Sequence, residues 1–206
     1  MTEQAVVLVH GLWMNGLDMK LLKRRMSHAG YHTLQFTYPS INNNPLDNAG
    51  LLNEFLNSIQ NETIHFVCHS LGGLIVRHLF HAFPEQRPGR VVTLGTPHQP
   101  SKAAIQLNKT FLSGSLLGKS IERGLLGNAP PWRSHNELGV IAGDLSLGLG
   151  LLIPGIPKPN DGTVAVEETR LQGMKDHKII HASHFGLLLS SEACNCARHF
   201  LSHGMF

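Results

Sequence analysis

Ser70 lies in Cys68-His69-Ser70-Leu71-Gly72-Gly73, between the apolar run Ile64 to His69 and a helix-forming stretch that starts at Leu71. A serine at a sharp strand-to-helix turn exposes its Oγ, and small residues two positions away keep the turn free of clashes. Gly72 meets that need on one side. Cys68 stands where the usual pattern has a first glycine, and its side chain is small. The N-terminus of the following helix favours negative charge developing there. The plainer alternative is a serine that only caps the helix.

A serine hydroxyl is a weak nucleophile. It needs a base, and the base needs an orienting acid. Downstream, Asn160-Asp161-Gly162-Thr163-Val164 offers a carboxylate in a turn, and His181-Ala182-Ser183-His184-Phe185-Gly186 offers an imidazole. Each has a bland reading: Asp-Gly is common in turns, and a histidine after a strand is commonly a loop residue. Together, in the order nucleophile, acid, histidine, they make Ser70, Asp161 and His184 a candidate catalytic triad. Asp144, just past the fifth expected strand, is the rival acid. Acyl transfer also needs fixed backbone N–H donors for an oxyanion. Leu12, in His10-Gly11-Leu12-Trp13, and Leu71 are the candidates for this oxyanion hole, with Gly11 permitting close approach. His10 is expected to be structural. Trp13, His69 and Leu152 are expected to border the substrate.

These groups need a scaffold. Apolar β-branched runs predict strands over Gln4–His10, Tyr31–Tyr38, Thr63–His69, Arg90–Leu94, Leu138–Ala142 and His177–Ala182. Helical periodicity predicts helices over Leu17–Ala29, Asp47–Ile59, Leu71–Phe83 and Phe185–His203. Such alternation means an α/β fold, a mostly parallel sheet with helices on both faces, and functional residues at the carboxyl ends of the strands. His10-Gly11, Ser70 and His184 fall at such ends.

Gln99 to Asn136 breaks this rhythm. It is too long for an ordinary connection and is expected to form a helical cap or lid insertion, about residues 99–137, within a single domain 1–206. Leu117, Ile121 and Leu125 suggest a helix in it. A second irregular stretch, Leu145 to Pro159, is rich in Gly, Leu and Pro. The leucines of these stretches, with Phe111 and Ile153, either form ordinary core or line an acyl groove beside Ser70. The groove reading predicts a preference for medium acyl chains over acetate.

The 206 residues are 42% hydrophobic and 15% charged, and no apolar run is long enough to span a membrane. Met1-Thr2-Glu3-Gln4 lacks a basic signal region, so an unprocessed cytoplasmic protein is expected. The charge of +3 is weak; Lys23-Arg24-Arg25 reads as a solvated helix face rather than a nucleic-acid patch. Cys68, Cys194 and Cys196 make an odd count that suits reduced thiols. The fourteen histidines show no HExxH and no zinc-site spacing, so no metal is expected, and His78 and His81 are expected on the surface. No nucleotide-binding glycine motif is present.

His10-Gly11, Cys68 to Gly73, Leu94-Gly95-Thr96-Pro97-His98, Asp161 to Val164 and His184 together resemble the α/β-hydrolase lipases and esterases, in particular the triacylglycerol-lipase-like branch. The likeness runs in order from Val6 to about Leu201. It implies a six-stranded sheet in chain order 2-1-3-4-5-6, Ser-Asp-His catalysis on a small-molecule ester or lipid-like substrate, and no cofactor. Two other readings stay open: an acyltransferase or thioesterase with the same triad, and a non-catalytic binding protein on the same fold.

Overall fold

The computed structural model describes residues 4–109, 116–148 and 155–206. Six strands, β1 (Ala5–Val9), β2 (His32–Phe36), β3 (Ile64–His69), β4 (Arg90–Leu94), β5 (Glu137–Gly143) and β6 (Asp176–Ile180), form one sheet in the order β2-β1-β3-β4-β5-β6. All pairings are parallel. The helices are α1 (Lys20–His28), α2 (Pro45–Asn57), α3 (Leu71–Ala82), α4 (Lys102–Asn108), α5 (Gly186–Leu189) and α6 (Ser191–His203).

The near-continuous apolar strands follow from burial of both sheet faces. Along β1, Ala5, Val7 and Val9 belong to one core layer, with residues of α2 and α3. Val6 and Leu8 belong to the other, with residues of α1, α5 and α6. That alternation is the period of two of a strand. Chain order reverses between β1 and β3, so a crevice opens beyond their carboxyl ends, where such sheets place their sites. The register aligns these ends: Val9 lies beside Cys68, His69 beside Leu94, Leu94 beside Ile141, and Gly143 beside Ile180.

Three sequence expectations need correction. The last helix is two helices, because Ser190 leaves helical geometry and its side chain accepts from the Ala193 N–H to cap α6. The first helix starts three residues late, after a 3-10 turn over Leu17–Met19. His78 is buried rather than exposed, and its Nε2–H donates to the Arg123 carbonyl at 2.7 Å. Periodicity could not show that the segment between β4 and β5 covers that part of α3.

That segment contains α4, whose N-cap Ser101 accepts from the Ala104 N–H, and a 3-10 turn over Gly118–Ile121. It is tied down at several points. The Ser101 N–H donates to the Leu125 carbonyl and the Lys119 N–H to that of Ile41, both at 2.8 Å. Arg77, buried in α3, donates to the carbonyls of His98, Ala129 and Pro130. Phe111, Leu112, Leu149, Leu151, Leu152 and Ile153 lie outside the described residues, so the expectations placed on them are not addressed by the structure.

Candidate active site

The turn after β3 puts Ser70 in a left-handed backbone conformation, φ 52° and ψ −121°, which a non-glycine residue adopts only under constraint. The constraint comes from hydrogen bonds and close packing. The Ser70 N–H continues the sheet by donating to the Leu94 carbonyl at 2.9 Å, and the Ser70 carbonyl accepts from Thr96 Oγ1 at 2.8 Å. Gly72 lets α3 press on the end of β1, where an added Cβ would lie 2.5 Å from the Val9 carbonyl oxygen. Cys68 is fully buried, so a side chain is accommodated where the usual pattern has glycine.

The loop after β1 closes on the same turn. A Cβ on Gly11 would lie 3.1 Å from Ser70 Cβ. His10 is buried and stacks flat on Tyr38 at 4.2 Å. Its Nδ1–H donates to the Gly11 carbonyl at 2.8 Å, while Nε2 accepts from the Tyr38 N–H at 3.4 Å. Burial lowers its pKa, which suits this neutral tautomer. His10 therefore holds the peptide that carries the Leu12 N–H. Leu71 is the first residue of α3, and the N–H groups of a first helical turn have no intrahelical acceptor.

His184 follows β6, and its Nδ1–H donates to Asp161 Oδ2 at 2.7 Å. Asp161 Oδ1 is occupied by the N–H groups of Thr163 (2.9 Å) and Val164 (2.7 Å), which fixes the carboxylate. The pair sits beneath Gly95, where a Cβ would come 3.0 Å from both Asp161 Oδ2 and His184 Nδ1. Gly143, at the end of β5, leaves room for Asp161 Cβ. Asp144 instead bonds the exposed His181, at 2.8 Å.

Ser70 and His184 line one cavity of about 410 Å³, with Leu12, Trp13 and His69. Its walls are mainly apolar. The segment between β4 and β5 contributes Leu107, Leu117 and Leu125; the loops after β5 and β6 contribute Leu147, Val164 and Phe185. Ile121 and Leu126 pack on the core instead. His69 borders the cavity but is fully buried, with its ring 4.6 Å from that of His184, and its Nε2–H donates to the His184 carbonyl at 3.0 Å. Burial, and then the charge of a protonated His184, hold its pKa well below the usual histidine value.

Sequence reasoning missed Thr96, Gly95 and Gly143 as parts of the site. A Gly-Thr-Pro turn after a strand was visible, but only the fold shows what it touches. Among the described residues, no group of three or more His, Cys, Asp or Glu side chains could hold a metal ion. None of the described helices is long and apolar enough to cross a membrane.

The chain has the α/β-hydrolase fold. It aligns with the mature lipase BlEst2 of Bacillus licheniformis at a TM-score of 0.71 and 20% identity, over 98% of this chain and 91% of that one. The α/β-hydrolase MGS-MChE2, from a metagenome of Mar Chica lagoon sediments in Morocco, aligns at 0.66 and 19% identity over 98% and 92%. The metagenomic carboxyl esterase MGS0156 aligns at 0.69 and 18%, over 89% of this chain and 65% of that one. Residues 2–99 match the family model described as "Putative serine esterase (DUF676)". No curated protein matches the chain in sequence.

Proposed function

We propose that the protein is a serine hydrolase that cleaves carboxylic esters through an acyl-enzyme on Ser70. The observation that carries this reading is the 2.7 Å Asp161–His184 pair, whose imidazole lines the same cavity as a serine held in a left-handed turn. His184 Nε2 takes the Ser70 hydroxyl proton as Oγ bonds to the ester carbonyl carbon. Asp161 keeps the Nδ1–H tautomer and stabilises the imidazolium. The Leu12 and Leu71 N–H groups hold the oxyanion. The intermediate collapses, the alcohol leaves with the proton from His184, and the acyl group stays on Oγ. Water, deprotonated by His184, then releases the acid and restores Ser70.

The segment at about 99–137 acts as a cap that supplies one wall of the acyl site. Trp13 borders this site, and the Trp13 Nε1–H donates to the cap's Leu116 carbonyl at 2.6 Å. The mainly apolar walls favour medium acyl chains. Each buried methylene contributes roughly 0.8 kcal/mol, so kcat/KM rises about threefold to fourfold per added carbon until the groove is full.

The test is hydrolysis of nitrophenyl esters from acetate to octanoate below their solubility limits, with Ser70→Ala and fluorophosphonate labelling as controls. The expected result is rising kcat/KM, labelling at Ser70, and loss of several orders of magnitude in the variant. Retained activity in Ser70→Ala would overturn the mechanism. Flat or falling kcat/KM would overturn the groove alone.

A further inference from the structure

Several large exposed apolar side chains lie on the loops that line the cavity or on elements next to them in the chain. Trp13, Leu147 and Phe185 line the cavity, yet each is about half exposed. Two more follow on the adjoining elements. Phe185 and Leu189 lie four residues apart across α5, and Leu189 is 47% exposed. Arg25 of α1 donates to the Leu189 carbonyl at 2.8 Å, which fixes α1 against this helix. The loop that carries Trp13 runs in four residues to Leu17, which is 58% exposed.

The segment Leu17–His28 has two faces. Met19, Leu22 and Met26 are buried in the sheet-facing layer. Leu17, Lys20, Leu21 and Arg24 are all exposed and recur at helical spacing, so leucines and cations share the outward face. Lys20, Lys23, Arg24 and Arg25 stand against one acid, Asp18, and give this segment a formal charge of +3. That equals the charge of the whole chain, so the remainder balances at thirteen residues of each sign.

We propose that the outward face of α1, with Leu189 and Phe185, docks the protein on an anionic phospholipid surface, with the cavity mouth turned toward it. Cations alone would suit any polyanion. Leucines on the same face suit a layer that offers acyl chains just beneath anionic headgroups. The attraction acts within about one Debye length, roughly 8 Å at physiological salt, so it requires the cations to sit at the surface, as Lys20 and Arg24 do. Delivery of an ester from the bilayer to Ser70 rests on the hydrolase reading; docking itself does not.

The experiment is sedimentation of the full chain with vesicles of phosphatidylcholine alone or of equal parts phosphatidylcholine and phosphatidylglycerol. It is repeated with Ser70→Ala, so that failure of catalysis and failure of docking are read separately. Binding is expected only to the anionic vesicles, weakened by salt and unchanged in Ser70→Ala. Lys20→Gln with Arg24→Gln should weaken it about twenty-five-fold, at roughly fivefold per cation. Leu17→Ser with Leu21→Ser should weaken it about tenfold. Both variants should keep the wild-type melting temperature and rate on a soluble acetate ester. Equal binding by the Gln variant, or no vesicle binding by the wild type, would overturn the proposal. So would a dimer that Leu17→Ser with Leu21→Ser dissolves, or duplex DNA binding, if either occurred without vesicle binding.

Discussion

His184 and Asp161 are joined twice: the imidazole Nδ1–H meets Asp161 Oδ2 at 2.7 Å, and the His184 backbone N–H meets the Asp161 carbonyl at 2.7 Å. The two residues come from different loops, yet each fixes the other's main chain. The neighbouring pair, His181 and Asp144, is bonded only through side chains, and His181 is largely exposed.

This contrast yields the first prediction. Asp161→Asn removes the carboxylate that stabilises the imidazolium and can hold the wrong tautomer, so kcat should fall by about two to four orders of magnitude. Asp144→Asn should change kcat less than about threefold, because its partner is a surface imidazole. Ester hydrolysis by the two purified variants decides between them, and the reverse ranking would assign the acid to Asp144.

His69 is a positioning residue in this scheme. Its Nε2–H holds the carbonyl of His184, and its ring packs on the imidazole. His69→Phe keeps a ring but loses the donor, so kcat should drop about tenfold, the scale of one hydrogen bond, with little change in KM. His69→Gln, which can still donate, should recover part of the loss. A change confined to KM in both variants would instead make His69 a substrate contact.

The strands were legible because both sheet faces are buried, while their order came from the resemblance to the α/β-hydrolases. The run Ala5–Val9 has no polar face to obscure it. For the candidate site, the sequence offers a residue type at the chain position the proposed chemistry demands, as at Ser70, Asp161 and His184. What was hidden depended on long-range packing. Nothing near His78 says that residue Arg123 will cover it, and nothing near Gly143 says that Asp161 will lie against it. The break at Ser190 was masked by apolar residues on both sides, Leu187 and Leu188 before it and Ala193 and Cys194 after it, all buried in the same core layer.

Gly72 tests the close packing of the turn. A Cβ there would meet two backbone carbonyl oxygens, Val9 at 2.5 Å and His10 at 2.7 Å, and backbone cannot swing aside as a flexible side chain can. Gly72→Ala should cost about 1–3 kcal/mol of stability and, by displacing the loop that carries Leu12, lower kcat about tenfold or more. Gly50→Ala, with nothing within 4 Å of its added Cβ, serves as the control and should be neutral or slightly stabilising. Denaturant melts and ester hydrolysis of the two variants provide the check; wild-type behaviour of Gly72→Ala would mean that the turn has slack.

Acid should destabilise the fold through its buried histidines. His65 in β3 accepts from the Arg90 N–H at 2.9 Å through Nδ1, and its Nε2–H donates to Gln4 at 3.2 Å, so the neutral ring satisfies both contacts. Burial, and then the Arg90 charge, push its pKa down to about 4. Between about pH 6.5 and pH 4 the unfolded chain takes a proton at this site while the folded chain does not, so falling pH favours unfolding. The stability tied to the neutral ring is complete above about pH 6.5. It is lost as pH falls toward 4, by roughly 3 kcal/mol at one pKa unit per 1.36 kcal/mol. His10, His69, His78, His98 and His177 are shifted in the same direction by burial and should add to the slope. His65→Gln removes one contribution, so its stability should fall less steeply across this window than that of the wild type. Urea unfolding at a series of pH values measures both slopes, and parallel curves for the two proteins would show that His65 carries no such linkage.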